Sequence, residues 1–496
     1  MSILPPAVMI QGTCSNAGKS LLAAALCRIF TRYGLRVAPF KAQNMALNSY
    51  VTANGEEIGR AQALQAAAAR RDPDVRMNPV LLKPDSDTGS QVIVLGKPVG
   101  RMHAVEYFRY KRRAWRYVAE AYASLAETAD VMVIEGAGSP AEINLRKWDI
   151  VNMRMARHAG AKVLLAADID RGGAFAALVG TLALMTKSER SMVSGLVLNK
   201  FRGDASLLEP ALSVVSRRTR KPFAGVVPWV DNLNLPDEDS VSFRETGNPV
   251  STHGKTLDVA LIDLPHISNF TDTDALRCEP DVCLRKVSAA EELGEPHLII
   301  LPGTKNTIAD LRRLKETLLA ERIRTLAEAG KSGVLGICGG LQMLGGIIRD
   351  PLGAESGGEE SGLNLLPLET VLGAGKQLRL RDAVWYTGQK VKGYEIHHGE
   401  TRSLEGDKCM TAVVDGGDVL GWRRADIAVW ATYLHGVLDA DAFRRSLLDS
   451  VRRMHGMPAI ENITPYSVEP SLERLADVVE HALDMSFVGR MLGISV

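Results

Sequence analysis

Short apolar runs alternate with amphipathic stretches through the first half of the chain. Ala7-Val8-Met9-Ile10, Leu35-Arg36-Val37-Ala38, Val131-Met132-Val133-Ile134, Val163-Leu164-Leu165-Ala166 and Gly195-Leu196-Val197-Leu198 read as buried strands. Residues 19–33, 57–71 and 105–128 place apolar positions at helical spacing between them. Alternation of the two periods predicts βαβ units and a mostly parallel sheet. The pattern fails between about 230 and 255, where 231–237 and 245–249 are rich in turn formers. A second alternating region opens at Leu257-Asp258-Val259-Ala260-Leu261-Ile262 and runs through Leu298-Ile299-Ile300-Leu301 and Gly333-Val334-Leu335-Gly336-Ile337 to a late strand over 427–434. The expected division is therefore a first α/β domain over 1–232, a linker over 233–256, a second α/β domain over 257–445 and a helical extension over 446–496.

Length agrees with this division, since 496 residues exceed one ordinary core. A hydrophobic fraction of 46% with 24% charged residues is that of a globular protein. The balance of 59 basic against 58 acidic residues gives no electrostatic case for nucleic acid or an anionic membrane. The basic clusters at 109–113 and 217–221 read as solvated helix faces. The first apolar run, 7–10, is too short for a secretory core, and no run is long enough to cross a bilayer. Six scattered cysteines form no CxxC pair and no zinc spacing. A reduced, cytoplasmic compartment is the expectation, and the sequence is compatible with a homo-oligomer.

Two stretches change the picture from architecture to chemistry. The first is Gln11-Gly12-Thr13-Cys14-Ser15-Asn16-Ala17-Gly18-Lys19-Ser20, which follows the first strand and opens the first helix. Backbone N–H groups of such a loop, from Gly12, Thr13, Asn16 and Gly18, cradle phosphate oxygens. Lys19 neutralises the terminal phosphates of ATP, and the Ser20 hydroxyl suits Mg²⁺. Five residues rather than four separate Gly12 from Gly18, the spacing of a P-loop subgroup that includes dethiobiotin synthetase. Glu135, at the end of the strand 131–134, is placed for Mg²⁺ or substrate. Asp168 and Asp170 end another strand and are weaker candidates for the same work. Asn199 ends the next strand, where it either contacts the nucleotide base or simply forms a turn.

The second stretch is Gly336-Ile337-Cys338-Gly339-Gly340. A strand ends in a cysteine between glycines and a helix begins, the arrangement by which a sheet holds out a nucleophile. Cys338 needs a base and an oxyanion site. His435, after the late strand and before Gly436, suits the base, while His397 and His398 compete for it. Backbone N–H groups of Gly303 and Gly339 are the candidate oxyanion donors.

These residues resemble the class I, triad-type glutamine amidotransferases. That resemblance implies Cys338 as the nucleophile toward the glutamine side-chain amide and His435 as its base. The family's usual acid two residues beyond the histidine is Val437 here, so the motif assigns no orienting carboxylate. A dethiobiotin-synthetase-like P-loop domain joined to such a glutaminase resembles the cobyrinic/cobyric acid amide synthases of corrinoid biosynthesis. The resemblance rests on 39–45, Lys83-Pro84 with 87–92, 135–142, 199–204, 301–307 and 393–399. It implies ATP, Mg²⁺ and L-glutamine as nitrogen donor, and a corrinoid a,c-diamide whose b, d, e and g carboxylates are amidated. It also implies a shielded path for ammonia. The Gln43-Asn44 pair and the Lys83–Val92 stretch favour this activity over the earlier a- and c-amidations. A partition- or septum-type ATPase switch shares the deviant P-loop but has no need of a cysteine elbow.

Overall fold

The computed structural model describes residues 4–84, 89–236, 257–404 and 409–495. They fall into two compact units. The first comprises Met1–Ala46, Glu56–Glu238 and Ser467–Val496, the second Leu47–Gly55 and Asp239–Tyr466. Most of the expected linker, and Asp87 and Thr88 of the 87–92 stretch, lie outside the described residues.

The first unit is built on a six-stranded parallel sheet, in the order Phe223–Pro228, Val193–Phe201, Lys162–Asp168, Ala7–Gly12, Val131–Glu135, Val37–Phe40. The central strands are buried along their length, as a parallel sheet covered on both faces requires. Pairing of Ile10 with Glu135 and of Asp168 with Asn199 brings the motif-bearing carboxyl ends to one edge. The helix Lys19–Arg32 starts there, behind Gly18 at φ +83°. A Cβ on Gly18 would lie 2.1 Å from the Asn199 amide nitrogen, so only glycine fits. The helix expected from residue 57 begins three residues late: Glu57–Gly59 is a short strand, and the helix Arg60–Ala68 opens after the extended Gly59.

The stretch 446–496, expected as one extension, is divided. Asp441–Met454 belongs to the second unit, whereas Glu469–Ala482 and Met485–Leu492 belong to the first. Ion pairs accompany the division. Arg28 on the helix behind the phosphate loop donates to Glu469 and Glu473 at 2.8 and 2.6 Å. Arg444 and Arg445 on Asp441–Met454 hold Glu279 and Asp281, with Arg444 Nε 2.7 Å from the fully buried Glu279.

The second unit has an eleven-stranded mixed sheet. Val282–Val287, Leu257–Ile262, Leu298–Leu301, Gly333–Ile337 and Val429–Thr432 form its parallel half. An antiparallel half follows, in which the long hairpin Leu368–Trp385 and Lys390–Ser403 has no counterpart in the expected elements. Residues Leu47–Gly55 pack with this unit through Val51, which clusters with Tyr394 and Ile396.

Candidate active sites

The phosphate loop is braced by its neighbours. Thr13 N–H donates to Ala166 O, and Asn199 Nδ2 to Ala17 O at 3.0 Å. Lys200 Nζ donates to Asn16 O at 2.7 Å and to Asp168 Oδ2 at 2.8 Å. The structure thus places Asn199 as a strut under the loop. Asp168 and Asp170 are each held by a cation, the second by Arg202 at 3.1 Å, which leaves them poorly suited to a metal. Lys19 Nζ folds onto Cys14 O at 3.0 Å, inside the loop.

Glu135 is the hub. Its side chain is fully buried, and Oε1 accepts from Ser20 Oγ at 3.0 Å and from Lys41 Nζ at 2.7 Å. Oε2 accepts from Gln65 at 2.6 Å and Gln62 at 3.3 Å. A hydroxyl and a carboxylate oxygen that already touch are a fit pair of hard donors for Mg²⁺. Among the described residues no group of three acidic, histidine or cysteine side chains could hold a metal. A cation there would therefore take its remaining oxygens from phosphates and water. Lys41 falls within the 39–45 stretch, which carries the resemblance but assigns it no role. Nothing in the linear pattern joins it to Glu135, because their strands become neighbours only in the sheet.

The second site is assembled around Cys338, which sits at φ +53°, ψ −106° between the strand Gly333–Ile337 and the helix Gly339–Leu344. A non-glycine residue in that region is strained and is held only by its surroundings. Cys338 N–H donates to Thr432 O at 2.8 Å, and Sγ lies 3.6 Å from Ile396 O. The turn demands glycine at 340, where a Cβ would lie 2.0 Å from Leu301 O.

His435 is the histidine brought close enough to this sulfur for their charges to act on one another. The alternatives are placed otherwise. His397 stacks on Tyr433 at 3.7 Å and meets Glu395 at 3.2 Å, and the His398 carbonyl accepts from Gln342. The orienting acid that the motif lacked is Asp272. Its Oδ2 is 2.6 Å from His435 Nδ1, and its Oδ1 accepts from Gly436 N–H at 2.8 Å. Asp272 stands on the short 3₁₀ turn Phe270–Thr273, 163 positions before the histidine. Val437, at the usual acid position, is buried in the apolar core. Sequence offered one faint signal for Asp272, an acid-rich turn soon after the first strand of the domain.

His435 is fully buried. Burial alone lowers its pKa, but the charges of Asp272 and Cys338 outweigh that and push it up to about 10. The ring is therefore held protonated across the neutral range. Two neighbours fix its plane. Tyr394 stacks on it at 5.3 Å, and Asn269 Nδ2 approaches Nε2 at 3.4 Å. Asn269 Oδ1 accepts from Ser49 N–H at 3.0 Å, so its amide turns a donor toward Nε2 and opposes the charge that Asp272 favours. Gly303 lies flat against the ring: a Cβ there would be 2.9 Å from His435 Cε1. Gly339 is packed equally closely on Thr304.

Both halves match known families. Residues 8–243 match the CobQ/CobB/MinD/ParA nucleotide binding domain, and 258–443 the CobB/CobQ-like glutamine amidotransferase domain. The chain is 54% identical to the cobyric acid synthase of Nitratidesulfovibrio vulgaris, over 99% of this chain and 98% of that protein. It is 50% identical to the cobyric acid synthase of Desulfitobacterium hafniense, over 98% of both. It is 48% identical to the adenosylcobalamin biosynthesis bifunctional protein CobDQ of Leptospira interrogans, over 99% of this chain and 57% of that one.

Proposed function

The chain belongs to the cobyric acid synthase family, and from that premise we propose that it amidates the b, d, e and g carboxylates of (adenosyl)cobyrinic acid a,c-diamide to give cobyric acid. ATP supplies the activation and L-glutamine the nitrogen. One observation carries the glutamine half: a buried Cys338, His435 and Asp272 in contact order.

In this reading the Cys338 sulfur attacks the glutamine side-chain carbonyl. Gly303 and Gly339 N–H groups receive the oxyanion. The His435 imidazolium gives its proton to the departing amine, ammonia leaves, and a γ-glutamyl thioester remains for water to hydrolyse. Asp272 keeps the imidazole in the tautomer and plane that this requires. A carboxylate is a poor electrophile, so the other site transfers the γ-phosphoryl group of ATP to it. Ammonia then displaces phosphate from the acyl phosphate. Gly12, Asn16 and Gly18 cradle the phosphates and Lys19 meets their charge, with Asn199 bracing the loop; Thr13, expected among the cradling N–H groups, spends its N–H on Ala166 O instead. Ser20 and Glu135 are the residues that would hold Mg²⁺, which spreads charge on the phosphates when bound. Lys41, 2.7 Å from Glu135, is placed to draw in an anionic acceptor.

A partition-type ATPase switch leaves the Cys338 site without use. The a,c-diamide synthase reading is separated by experiment: the protein is given each corrinoid with ATP and glutamine, and products are weighed by mass spectrometry. Four successive amidations of the a,c-diamide are expected. Amidation of cobyrinic acid confined to a and c would defeat the proposal.

A further inference from the structure

Beyond the turn that follows Glu135 lies a cavity of about 320 Å³ in the first unit. Asn152 lines it and clamps that turn, accepting from Ala137 N–H at 3.1 Å and donating to Ala137 O at 2.7 Å. Four cations line it: Arg146, Lys147, Arg154 and Arg157. Among the described residues none of the four forms a salt bridge with a carboxylate. Arg146 donates to Leu184 O, and its Nε is buried without a partner. Arg154 lies over the Trp115 ring at 4.1 Å, and Lys147 over Trp148 at 5.4 Å.

Three acids share the lining, yet two are committed to backbone. Glu189 closes a capping box with Thr186, and Asp149 accepts from Val151 and Asn152 N–H. Four cations against three acids leave the lining positive by one charge, with two of the acids tied to backbone N–H groups. Large apolar side chains stand exposed around it: Ile143 at 59%, Leu184 at 51% and Leu145 at 39%. Cations inside and apolar surface at the rim suit a ligand that is itself amphipathic, an apolar body carrying several carboxylate arms.

We propose that this cavity receives the carboxylate-bearing edge of the corrinoid. The inference rests on the function proposed above. At about 320 Å³ the cavity holds arms and one edge of the macrocycle rather than the whole of it. Guanidinium forks pair with carboxylates but have no charge to meet on an amide. Each amidation removes one negative charge from the ligand, so grip weakens as the series advances and the finished product leaves most readily.

The test uses the full chain with the a,c-diamide, ATP and glutamine. Arg157→Gln and Lys147→Gln are each expected to raise the corrinoid KM about tenfold, the scale of one charged hydrogen bond. KM for ATP and the rate of glutamine hydrolysis stay unchanged, which also reports that the variants fold. Arg154→Lys, which keeps the charge, should lose less than Arg154→Gln. Direct titration without ATP should show tighter binding of the a,c-diamide than of cobyric acid, with the gap closing in high salt. Unchanged corrinoid KM in the variants, with wild-type amidation intact, overturns the cavity assignment alone. A wild type that amidates no corrinoid overturns both it and the function beneath it.

Discussion

The two sites solve the same problem, holding charges ready in a dry place, by opposite routes. The phosphate site is nearly contiguous in the chain. Gly12 to Ser20 supply most of it, and one carboxylate, Glu135, gathers Ser20, Lys41, Gln62 and Gln65. The cysteine site is dispersed. Cys338, His435 and Asp272 come from three separate connections and meet only because the sheet brings them together. The first, in the function proposed, is a loop that binds through its backbone. The second is a set of side chains whose charges depend on one another.

The sharpest test of that separation is a mirrored pair of substitutions. Cys338→Ser should abolish glutamine-dependent amidation while amidation with added ammonia persists. Lys19→Ala should abolish amidation from either nitrogen source while glutamine hydrolysis persists. Parallel assays of glutaminase and product formation decide it, and a well-folded variant that loses both activities breaks the comparison. Chelation of Mg²⁺ should follow the Lys19 pattern.

Mutual dependence in the second site predicts the next largest effect. Asp272→Asn keeps the shape but removes the charge and turns one of the two acceptor oxygens into a donor. Glutamine hydrolysis should fall by about 10³- to 10⁴-fold, by analogy with the loss of an orienting aspartate in a serine protease. The pH profile carries the sign. In the wild type, Asp272 helps hold His435 protonated up to about 10. Without that charge the imidazolium loses its proton at lower pH, so the alkaline limb of the glutaminase profile moves toward neutrality. The same pair contributes stability that is complete below the unfolded histidine value near 6.5 and fades as pH rises through about 10. Denaturation curves of wild type and variant should therefore converge on the alkaline side.

The contrast also explains what the chain disclosed before folding. The phosphate loop and the elbow are local geometry, written in consecutive residues, so Lys19, Ser20 and Cys338 could be read directly. So could the parallel strands, whose apolar runs have no other use. Asp272 could not, because its role lies in a meeting with His435 across 163 positions. Lys41 was invisible for the same reason. The hairpin Leu368–Ser403 escaped because its strands carry charge on exposed positions and glycines at 373 and 375, which dilute the alternation. The final helices are divided by which core their apolar faces join, Leu472 and Val479 the first and Phe443 and Leu448 the second, with ion pairs to Arg28, Glu279 and Asp281 beside them, a choice no helical period records.

Those ion pairs give the third prediction. Arg444 and Glu279 are both fully buried, whereas the partners of Arg28 are half open to solvent. Glu279→Gln removes the buried counter-charge that Arg444 and Arg445 share, leaving Arg444 only the partly exposed Asp441, and should cost about 3–5 kcal/mol of stability. Glu469→Gln should cost about 1 kcal/mol or less, since Glu473 remains and water screens the site. Urea unfolding of the full chain measures both, and equal losses would erase the distinction drawn between the two helical anchors.

The smallest effect tests whether the cysteine site reaches further along the chain than its triad. Residues Leu47–Gly55 pack with the second unit although the chain on both sides of them belongs to the first. Tyr50 lies against Tyr394 at 5.5 Å, and Tyr394 stacks on His435. Tyr50→Ala removes one aromatic contact, worth about 0.5–1.5 kcal/mol, from the wall that sets the imidazole plane. A fall of roughly two- to tenfold in glutaminase kcat is expected, with glutamine KM held, because the substrate pocket keeps its walls. Tyr50→Phe should restore the rate, since it keeps the ring that packs on Tyr394. If Tyr50→Ala raises KM and leaves kcat alone, the segment serves glutamine binding instead, and the dispersed site ends at Asp272.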